Sequence, residues 1–553
     1  MLALVVLMLL CGGFAGWVWA TCFAAPPPLD GRPAVLDLEP HTDPSGRVHL
    51  GASWFEHRHG RSLLYLEGDP FTLGYANARL TADLLAAQER ALIETVRHLL
   101  PGTLAFYGTA VMVLVHNRRL PHYVSNAHQM EILGLSTPRQ ADPYRQFGSR
   151  FHRILNYHAA HDISHWVHDR PAVGCTAFAA AAPNTRSGHL LVGRNFDWES
   201  GDHFDSNKVI ALYRPATGLS FLSVSWPGMA GAVTGLNEAK IYCSLNGAHS
   251  EHMGLGVGRP VSLVVRDVLQ HASTLDRAVA IVREAPVFVA DTFLLADGKS
   301  GTAVVVEKTP KTCAVRAMHH GLLVQSNHFE TEQLRGDRGN LEYLRDGTTL
   351  ARRARMAELL ERHAGALDPT LAAAILRDRR GPSDAVRGLG HRGTINPMIA
   401  THSVVADVTD GVLWVSRGPH QLGAFDAYTI AAFGTDSPRP SIPADVALTD
   451  GTYVTLSTYR KLAPQIEADL AHPGPLDGAA WQRLRRAAEL NPAAPEVLLW
   501  QAQAYLRDGA PARAAEAFRA ARRAEPPFAA QRTALEADMV RVLRQLGADS
   551  PKR

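Results

Sequence analysis

Cys175 is the residue of this chain best suited to act as a nucleophile. It follows Gly174 and precedes Thr176, and Arg194-Asn195-Phe196-Asp197-Trp198 begins nineteen residues later. The intervening sequence is apolar over 176–182, dense in turn formers from Pro183 to Gly188, and apolar again over 189–196. That pattern predicts a β-hairpin. With the turn in the middle of the loop, Cys175 lies across from about residue 196, and Arg194 and Asp197 return to the neighbourhood of the thiol. The two have opposite parity, so both reach Cys175 only where the strand bends or ends near Phe196.

A free thiol has a pKa near 8.5, so a nucleophilic cysteine needs a cation or a base beside it. Arg194 supplies the cation, and Asp197 can orient the arginine or an amine. The best-matched base is the cysteine's own α-amine, released when the Gly174–Cys175 bond is cut, because its pKa of about 8 is far nearer neutrality than that of lysine. Gly174 suits this cleavage, since a residue without Cβ lets its carbonyl be approached closely. The pattern reads as a self-cleaving chain whose new N-terminal cysteine attacks a carbonyl carbon.

The runs Cys175-Thr176, Gly188-His189-Leu190 and Gly193-Arg194-Asn195-Phe196-Asp197-Trp198 resemble the cysteine N-terminal-nucleophile (Ntn) amidases, the family of acid ceramidase, N-acylethanolamine acid amidase, bile salt (choloylglycine) hydrolase and penicillin acyltransferase. Upstream, Gly68-Asp69-Pro70-Phe71-Thr72-Leu73-Gly74-Tyr75 and Glu131-Ile132-Leu133-Gly134-Leu135 are similar to its propeptide-side motifs. Downstream, Gly235-Leu236-Asn237-Glu238, Ser244-Leu245-Asn246, Ser326-Asn327-His328-Phe329 and Thr401-His402-Ser403-Val404-Val405 are similar to later family segments, and the likeness covers about residues 60–435. The resemblance implies Cys175, Arg194, Asp197, Asn246 and Asn327 as the catalytic set, Asn246 lending its amide to the oxyanion hole, Asn237 as a further candidate, and self-cleavage between Gly174 and Cys175. It implies no cofactor and no metal. The implied substrate is an N-acyl amide with a hydrophobic acyl part, with ceramides, N-acyl amino acids and conjugated bile acids all open, as is hydrolysis against transfer to another amine. Ala177 stands where relatives often carry serine. The family's late arginine has three candidates here: Arg352, Arg353 and Arg355.

The elements around the site read as follows. Apolar residues at helical spacing from Phe71 to Leu100 predict an amphipathic helix, and the region up to His168 stays helical. Beyond Cys175 short strands are expected at 209–213, 220–225, 241–245, 302–307, 322–326, 403–406 and 413–416, interrupted by helices near 262–283 and 349–364. Two strand layers covered by helices make an αββα sandwich. The expected organisation is an apolar leader or anchor over 1–24, a linker over 25–50, a helical pro-segment over 51–174, an α+β catalytic domain over 175–445 and an all-α segment over 460–547. Residues 2–20 carry no charge, which predicts export with either a cleaved signal or a retained membrane anchor. In the last segment Pro492 and Pro526 stand 34 residues apart at equivalent points of a helical pattern that includes Leu498, Ala502, Tyr505, Ala514, Phe518 and Ala521. That is the period of a tetratricopeptide repeat, which either binds a protein partner or only stabilises the chain.

Composition narrows the alternatives. With 46% hydrophobic and 20% charged residues the chain is globular, and 56 basic against 53 acidic residues give no footprint for nucleic acid. Five cysteines, with no CxxC, exclude a disulfide framework or a cysteine metal site, although Cys243 and Cys313 are a candidate pair. His161-Asp162-Ile163-Ser164-His165 offers two histidines at i and i+4, a rival metal-hydrolase reading. The non-enzymatic alternative is an inert exported scaffold that works through its repeat.

Overall fold

Two β-sheets pack face to face with helices on both outer surfaces. The computed structural model describes residues 12–13, 16–18, 20–23, 25–100, 102–137, 142–167, 174–199, 201–253, 256–435 and 439–546. In chain order the first strands are β1 (His41–Thr42), β2 (Val48–Leu50), β3 (Ser53–Arg58), β4 (Arg61–Gly68), β5 (Thr176–Ala180), β6 (Leu191–Asp197), β7 (Val209–Pro215), β8 (Phe221–Ser225) and β9 (Thr234–Asn237). They are followed by β10 (Ile241–Gly247), β11 (Asp291–Asp297), β12 (Thr302–Lys308), β13 (Cys313–Ala317), β14 (Leu322–Gln325), β15 (Ala400–Asp407), β16 (Val412–Ser416) and β17 (Phe425–Tyr428). The larger sheet has the order β1-β2-β3-β4-β7-β8-β9-β10-β11-β12-β13, and the smaller β14-β5-β6-β15-β16-β17. Between the sheets, alternate residues such as Ala177, Ala179, Val192, Leu212, Leu236 and Leu294 form one apolar layer. The helices Pro70–Leu80, Val261–His271 and Leu275–Glu284 cover the outer face of the larger sheet, and Thr349–Arg362 and Pro369–Leu376 cover the smaller. This is the αββα sandwich that the strand pattern predicts.

The segment before Cys175 corrects the expectation of a mostly helical piece over 51–174, because its first part is strand. β1–β4 extend the larger sheet, and β4 joins it by pairing parallel with β7, from Leu63↔Ile210 to Gly68↔Pro215. The signal for this hairpin is His59-Gly60, both at positive φ (52° and 70°) between Arg58 and Arg61, the two-residue turn whose twist suits antiparallel strands. The helix expected over 71–100 is two, Pro70–Leu80 and Ala82–Leu99, because the Thr81 hydroxyl donates to Asn77 O at 2.7 Å and its backbone leaves the helical region. The motif glycines now have a physical reason. Helices Pro70–Leu80 and Asn126–Ser136 cross backbone to backbone, so a Cβ on Gly74 would lie 1.8 Å from Glu131 O, and one on Gly134 would lie 2.2 Å from Phe71 O.

Most of residues 2–20 lies outside the described residues, and among those described no helix is long and apolar enough to cross a membrane. At the other end the helical segment starts earlier than expected, with Thr452–Ala471, followed by Gly478–Leu490, Pro495–Arg507, Pro511–Arg523 and Ala529–Gln545. Ala502, Ala514, Phe518 and Ala521 form its inner core with Leu535 and Val542. Cys243 and Cys313 are unpaired, and they sit on β10 and β13, three strand spacings apart, roughly 14 Å, well beyond disulfide reach.

Gly74→Ala should lower the urea midpoint of the folded chain by the equivalent of at least about 1–3 kcal/mol, because the new methyl meets backbone that cannot give way. Gly108→Ala serves as its control. Gly108 is interior to the helix Thr103–Asn117 with nothing within 4 Å of a Cβ, and the substitution should be neutral or stabilising.

Candidate active site

β5 and β6 pair from Thr176↔Asn195 to Ala180↔Leu191, which sets Cys175 across from Phe196 at the strand ends. Gly174 N continues the ladder by donating to Asp197 O at 2.9 Å. Arg194 turns toward the larger sheet, where Nη1 donates to Val233 O at 3.1 Å and to Thr234 Oγ1, and Nη2 donates to Leu245 O. Its guanidinium lies 4.5 Å over the Phe196 ring. Asp197, of opposite parity, closes β6 where the pairing with β15 shifts register between Ala400 and His402. The strand end near Phe196 thus meets the parity condition, with Arg194 and Asp197 approaching the cysteine from different sides.

Burial pushes the Cys175 thiol up to about 11, with Arg194 and Arg352 opposing and Asp197 reinforcing the rise. A thiol held that high is protonated at neutral pH, so its attack needs a base that takes the proton as the new bond forms. Burial also pushes Asp197 up to about 7, against Arg392 and Arg352. Both Asp197 carboxylate oxygens are buried, without a hydrogen-bond partner among the described residues.

Of the three candidate late arginines, Arg352 is the one at the cysteine. Its Nη1 donates to Gly174 O at 2.7 Å, Cys175 O at 2.5 Å and Thr176 Oγ1 at 2.8 Å, and Nη2 donates to Asn327 Oδ1 at 2.8 Å. Arg353 pairs with Glu330 at 3.0 Å, and Arg355 forks onto Asp378 at 2.9 and 3.0 Å. Asn327 completes the chain by donating Nδ2 to Gly247 O at 2.9 Å, next to Asn246. Asn246 is fully buried on β10, its Oδ1 is without a partner, and its Nδ2 has a weak contact at 3.5 Å with Ser326 O. That amide N–H is largely uncommitted.

Asn237 is not part of this constellation. Its Nδ2 donates to Leu269 O at 3.0 Å and Ala272 O at 2.7 Å, and its Oδ1 accepts from Ile241 N at 2.8 Å. All of its polar capacity goes into closing the end of helix Val261–His271 and the β9–β10 turn. The metal reading gains nothing either: burial with Arg194 nearby holds His161 down to about 4, and the His165 side chain is outside the described residues. Among the described residues, the groups with metal-ligand geometry are His189/Asp407/Asp410 and Glu251/His252/Asp337, and neither includes His161.

Three further residues belong to the site and carried no sequence signal beyond their neighbours. Thr234 Oγ1 lies 2.9 Å from His402 Nε2, and both touch Arg194. Arg392 Nη2 would be 3.1 Å from a Cβ on Gly174. An apolar cavity of about 310 Å³ opens on the other side of Phe196, walled by Trp198, Trp226, Leu92 and Tyr157. A second, of about 240 Å³, shares Leu92, Tyr157, Ala160 and Trp198 with it and runs on toward Phe106 and Phe147. Trp198 and Trp226 are cavity wall.

Residues 183–417 match the sequence model of the family described as acyl-coenzyme A:6-aminopenicillanic acid acyl-transferase. That span starts just past Cys175 and contains Arg194, Asp197, Asn246, Asn327 and Arg352. An uncharacterized protein of Archaeoglobus fulgidus is 27% identical over 282 residues, 47% of this chain and 46% of its own length. Protein dcd1B of Dictyostelium discoideum is 23% identical over 265 residues, 44% of this chain and 50% of its own. The chain spans about half the length of these curated relatives. Similar solved structures include a Caenorhabditis elegans N-acylethanolamine-hydrolyzing acid amidase ortholog, at 18% identity and TM-score 0.32, covering 42% of this chain and 93% of that one. A mutant conjugated bile acid hydrolase from Clostridium perfringens is 15% identical with TM-score 0.33, covering 48% of this chain and 95% of that one. Penicillin V acylase from Agrobacterium tumefaciens is 14% identical with TM-score 0.28, covering 44% and 83%.

Asp197 gives a pH prediction. Its folded pKa, about 7, lies above the ordinary carboxylate value, so the stability linked to its proton is fully present below pH 4 and is lost as pH rises through 7. In the uncleavable Cys175→Ala chain, Asp197→Asn should therefore raise the thermal midpoint, by an amount that grows from near zero at pH 4 to a plateau above pH 7. A midpoint difference independent of pH would show that Asp197 is not held protonated by burial.

Proposed function

We propose that the chain is a self-processing cysteine Ntn amidase or acyltransferase, a reading supported by the match of residues 183–417 to the acyl-coenzyme A:6-aminopenicillanic acid acyl-transferase family model. The observation that carries this reading is the Gly174–Cys175 junction itself. The carbonyl that would be attacked accepts a hydrogen bond from Arg352 Nη1 at 2.7 Å, beside a buried carboxylate that lacks a partner among the described residues. In self-cleavage, Cys175 Sγ bonds to the Gly174 carbonyl carbon, the Gly174–Cys175 C–N bond breaks, and the thiol proton passes to the departing nitrogen. Water then hydrolyses the thioester to a Gly174 carboxylate and a free Cys175. Arg352 would stabilise the oxyanion of this step. The new ammonium would give Asp197 the partner it lacks.

In turnover the freed thiol attacks the substrate amide carbonyl, and its proton moves through the α-amine to the leaving nitrogen. The Asn246 Nδ2–H meets the negative charge that develops on oxygen, and water or a second amine accepts the acyl group. Arg194 favours the thiolate, and Asn327 fixes Arg352 relative to Asn246. Support for an N-acyl amide with a hydrophobic acyl part comes from the apolar cavity walled by Phe196 and the second cavity that shares Leu92, Tyr157, Ala160 and Trp198 with it. An exported or membrane-anchored location is part of the same proposal and rests on the uncharged stretch 2–20.

N-terminal sequencing of the purified protein should find Cys175 as the first residue of the large fragment, without added protease. Active enzyme that remains entirely intact at this bond would overturn the proposal, and an intact, inactive wild type would favour the scaffold reading. Cys175→Ala should abolish both processing and turnover, while Cys175→Ser should process slowly, a hydroxyl being the poorer nucleophile. Asn246→Ala should lower kcat by roughly 10²–10³ with KM little changed, since the oxyanion exists only near the transition state. A raised KM at normal kcat would make Asn246 a binding residue instead.

A further inference from the structure

Arg392 reaches the Gly174–Cys175 junction on a loop that runs from residue 385 to residue 399, between the short 3-10 turn Pro382–Asp384 and β15 of the smaller sheet. It is buried, with Nη2 facing Gly174 and Nη1 3.2 Å from Glu199 Oε1. Asp197 is on the same side, its Cβ 3.5 Å from a Cβ built on Gly174. Burying a guanidinium is costly unless its position and partners are fixed, and a side chain of this length on a mobile loop would turn out to water.

The loop is fixed largely by the C-terminal helices. Leu389 exchanges two hydrogen bonds with the Asn491 side chain, both at 2.9 Å. Gly388 lies against Ala494, where a Cβ would come within 2.7 Å of backbone. His391 Nε2 donates to Glu525 O at 2.9 Å while its Nδ1 accepts from Gly393 N at 3.0 Å, which sets its tautomer, and Arg387 pairs with the Glu525 carboxylate. Past Arg392, Arg460 donates to Pro397 O at 2.8 Å and to Met398 O at 2.9 Å. The catalytic body holds the same loop at Asn396, through Asp378 O at 2.9 Å and Arg377 O at 3.1 Å. The C-terminal helices therefore grip the loop on both sides of Arg392.

We propose that the C-terminal helical unit is a buttress that seats Arg392 against Asp197 and the Cys175 junction, so that Arg392 is a positioning residue of the amidase and the helices are part of its active site. This rests on the cysteine amidase reading. Among the described residues, the charged and titratable groups around Asp197 are Arg392, Arg352 and Arg194, the acid Glu199, and the Cys175 thiol. Arg392 is the strongest of the cations in holding Asp197 anionic. Without it, Glu199 also loses its guanidinium, and both changes make Asp197 keep its proton to higher pH.

The test uses the full chain, with two readouts against pH: turnover of an N-acyl amide reporter, and alkylation of Cys175 by iodoacetamide followed by mass spectrometry. Arg392→Gln should move the acid limb of both profiles up by about one pH unit or more, with rate recovered at higher pH, and Arg392→Lys should restore most of the wild-type profile. Asn491→Leu and His391→Phe, both remote from the thiol, should shift the limb in the same direction. An Arg392→Gln profile that matches wild type, or a uniform loss of rate with no shift, would overturn the role of Arg392. An unshifted profile in both folded seat variants would overturn the buttress. Alkylation requires no substrate, so a wild type that turns over no N-acyl amide would count against the amidase reading, while the alkylation shift still decides this one.

Discussion

The fork of Arg352 is the interaction on which the rest of the site depends. One guanidinium holds the carbonyls of Gly174 and Cys175, the hydroxyl of Thr176 and the side chain of Asn327, so it fixes the entry to β5 against a helix on the outer face of the smaller sheet. Asn327 passes that restraint to Gly247, at the end of the strand that carries Asn246. A buried cation that bonds four oxygens from two segments is well compensated for its lost hydration, which is the condition under which buried charge is tolerated. The two sheets are then tied at the point where one contributes the cysteine and the other the asparagine.

Around that fork, charge is balanced unevenly. Arg194, Arg352 and Arg392 converge on one buried carboxylate and one thiol, yet among the described residues Asp197 has no hydrogen-bond partner, and the thiol is held protonated. A satisfied core does not normally contain such a group. Under the proposed processing the imbalance would have a cause, because cleavage after Gly174 would create an ammonium at Cys175, across the strand pair from Phe196 and so next to Asp197. On the proposed self-cleavage, the partner that Asp197 lacks would be supplied by the reaction itself.

How much of this could be read from the sequence varied with the range of the interaction. The β5–β6 hairpin came from its turn residues and gave the register at Cys175 to within a residue, since turn position and period-2 alternation are local facts. The β1–β4 edge was missed because a strong helical pattern after Pro70 dominated the reading of the whole stretch, and the short His59-Gly60 turn was its one local sign. β9 is four residues long and includes a glycine, too short for periodicity to register. Asn237 and Asn246 sit in similar-looking polar ends of apolar runs, and only the position of helix Val261–His271 shows that the first is consumed structurally. The three arginines illustrate the same limit. Arg352 and Arg355 are equally buried, so helical phase could not separate them, and the choice was made by Asp378, an acid beyond the end of the following helix.

Arg392 is the extreme case. Its loop has no regular structure, and the residues that seat it, Asn491, Ala494, Glu525 and Arg460, come from helices that follow the catalytic sheets in sequence. From sequence those helices read as a separable repeat, because each carries its own amphipathic pattern and could pack on its neighbours alone. What joins them to the chemistry is a set of hydrogen bonds to main-chain groups, which leave no trace in side-chain pattern. A helical appendage can therefore be built like an independent module and still serve as one wall of the site it adjoins, since seating a buried guanidinium requires only that the surrounding backbone be rigid, whatever part of the chain supplies it.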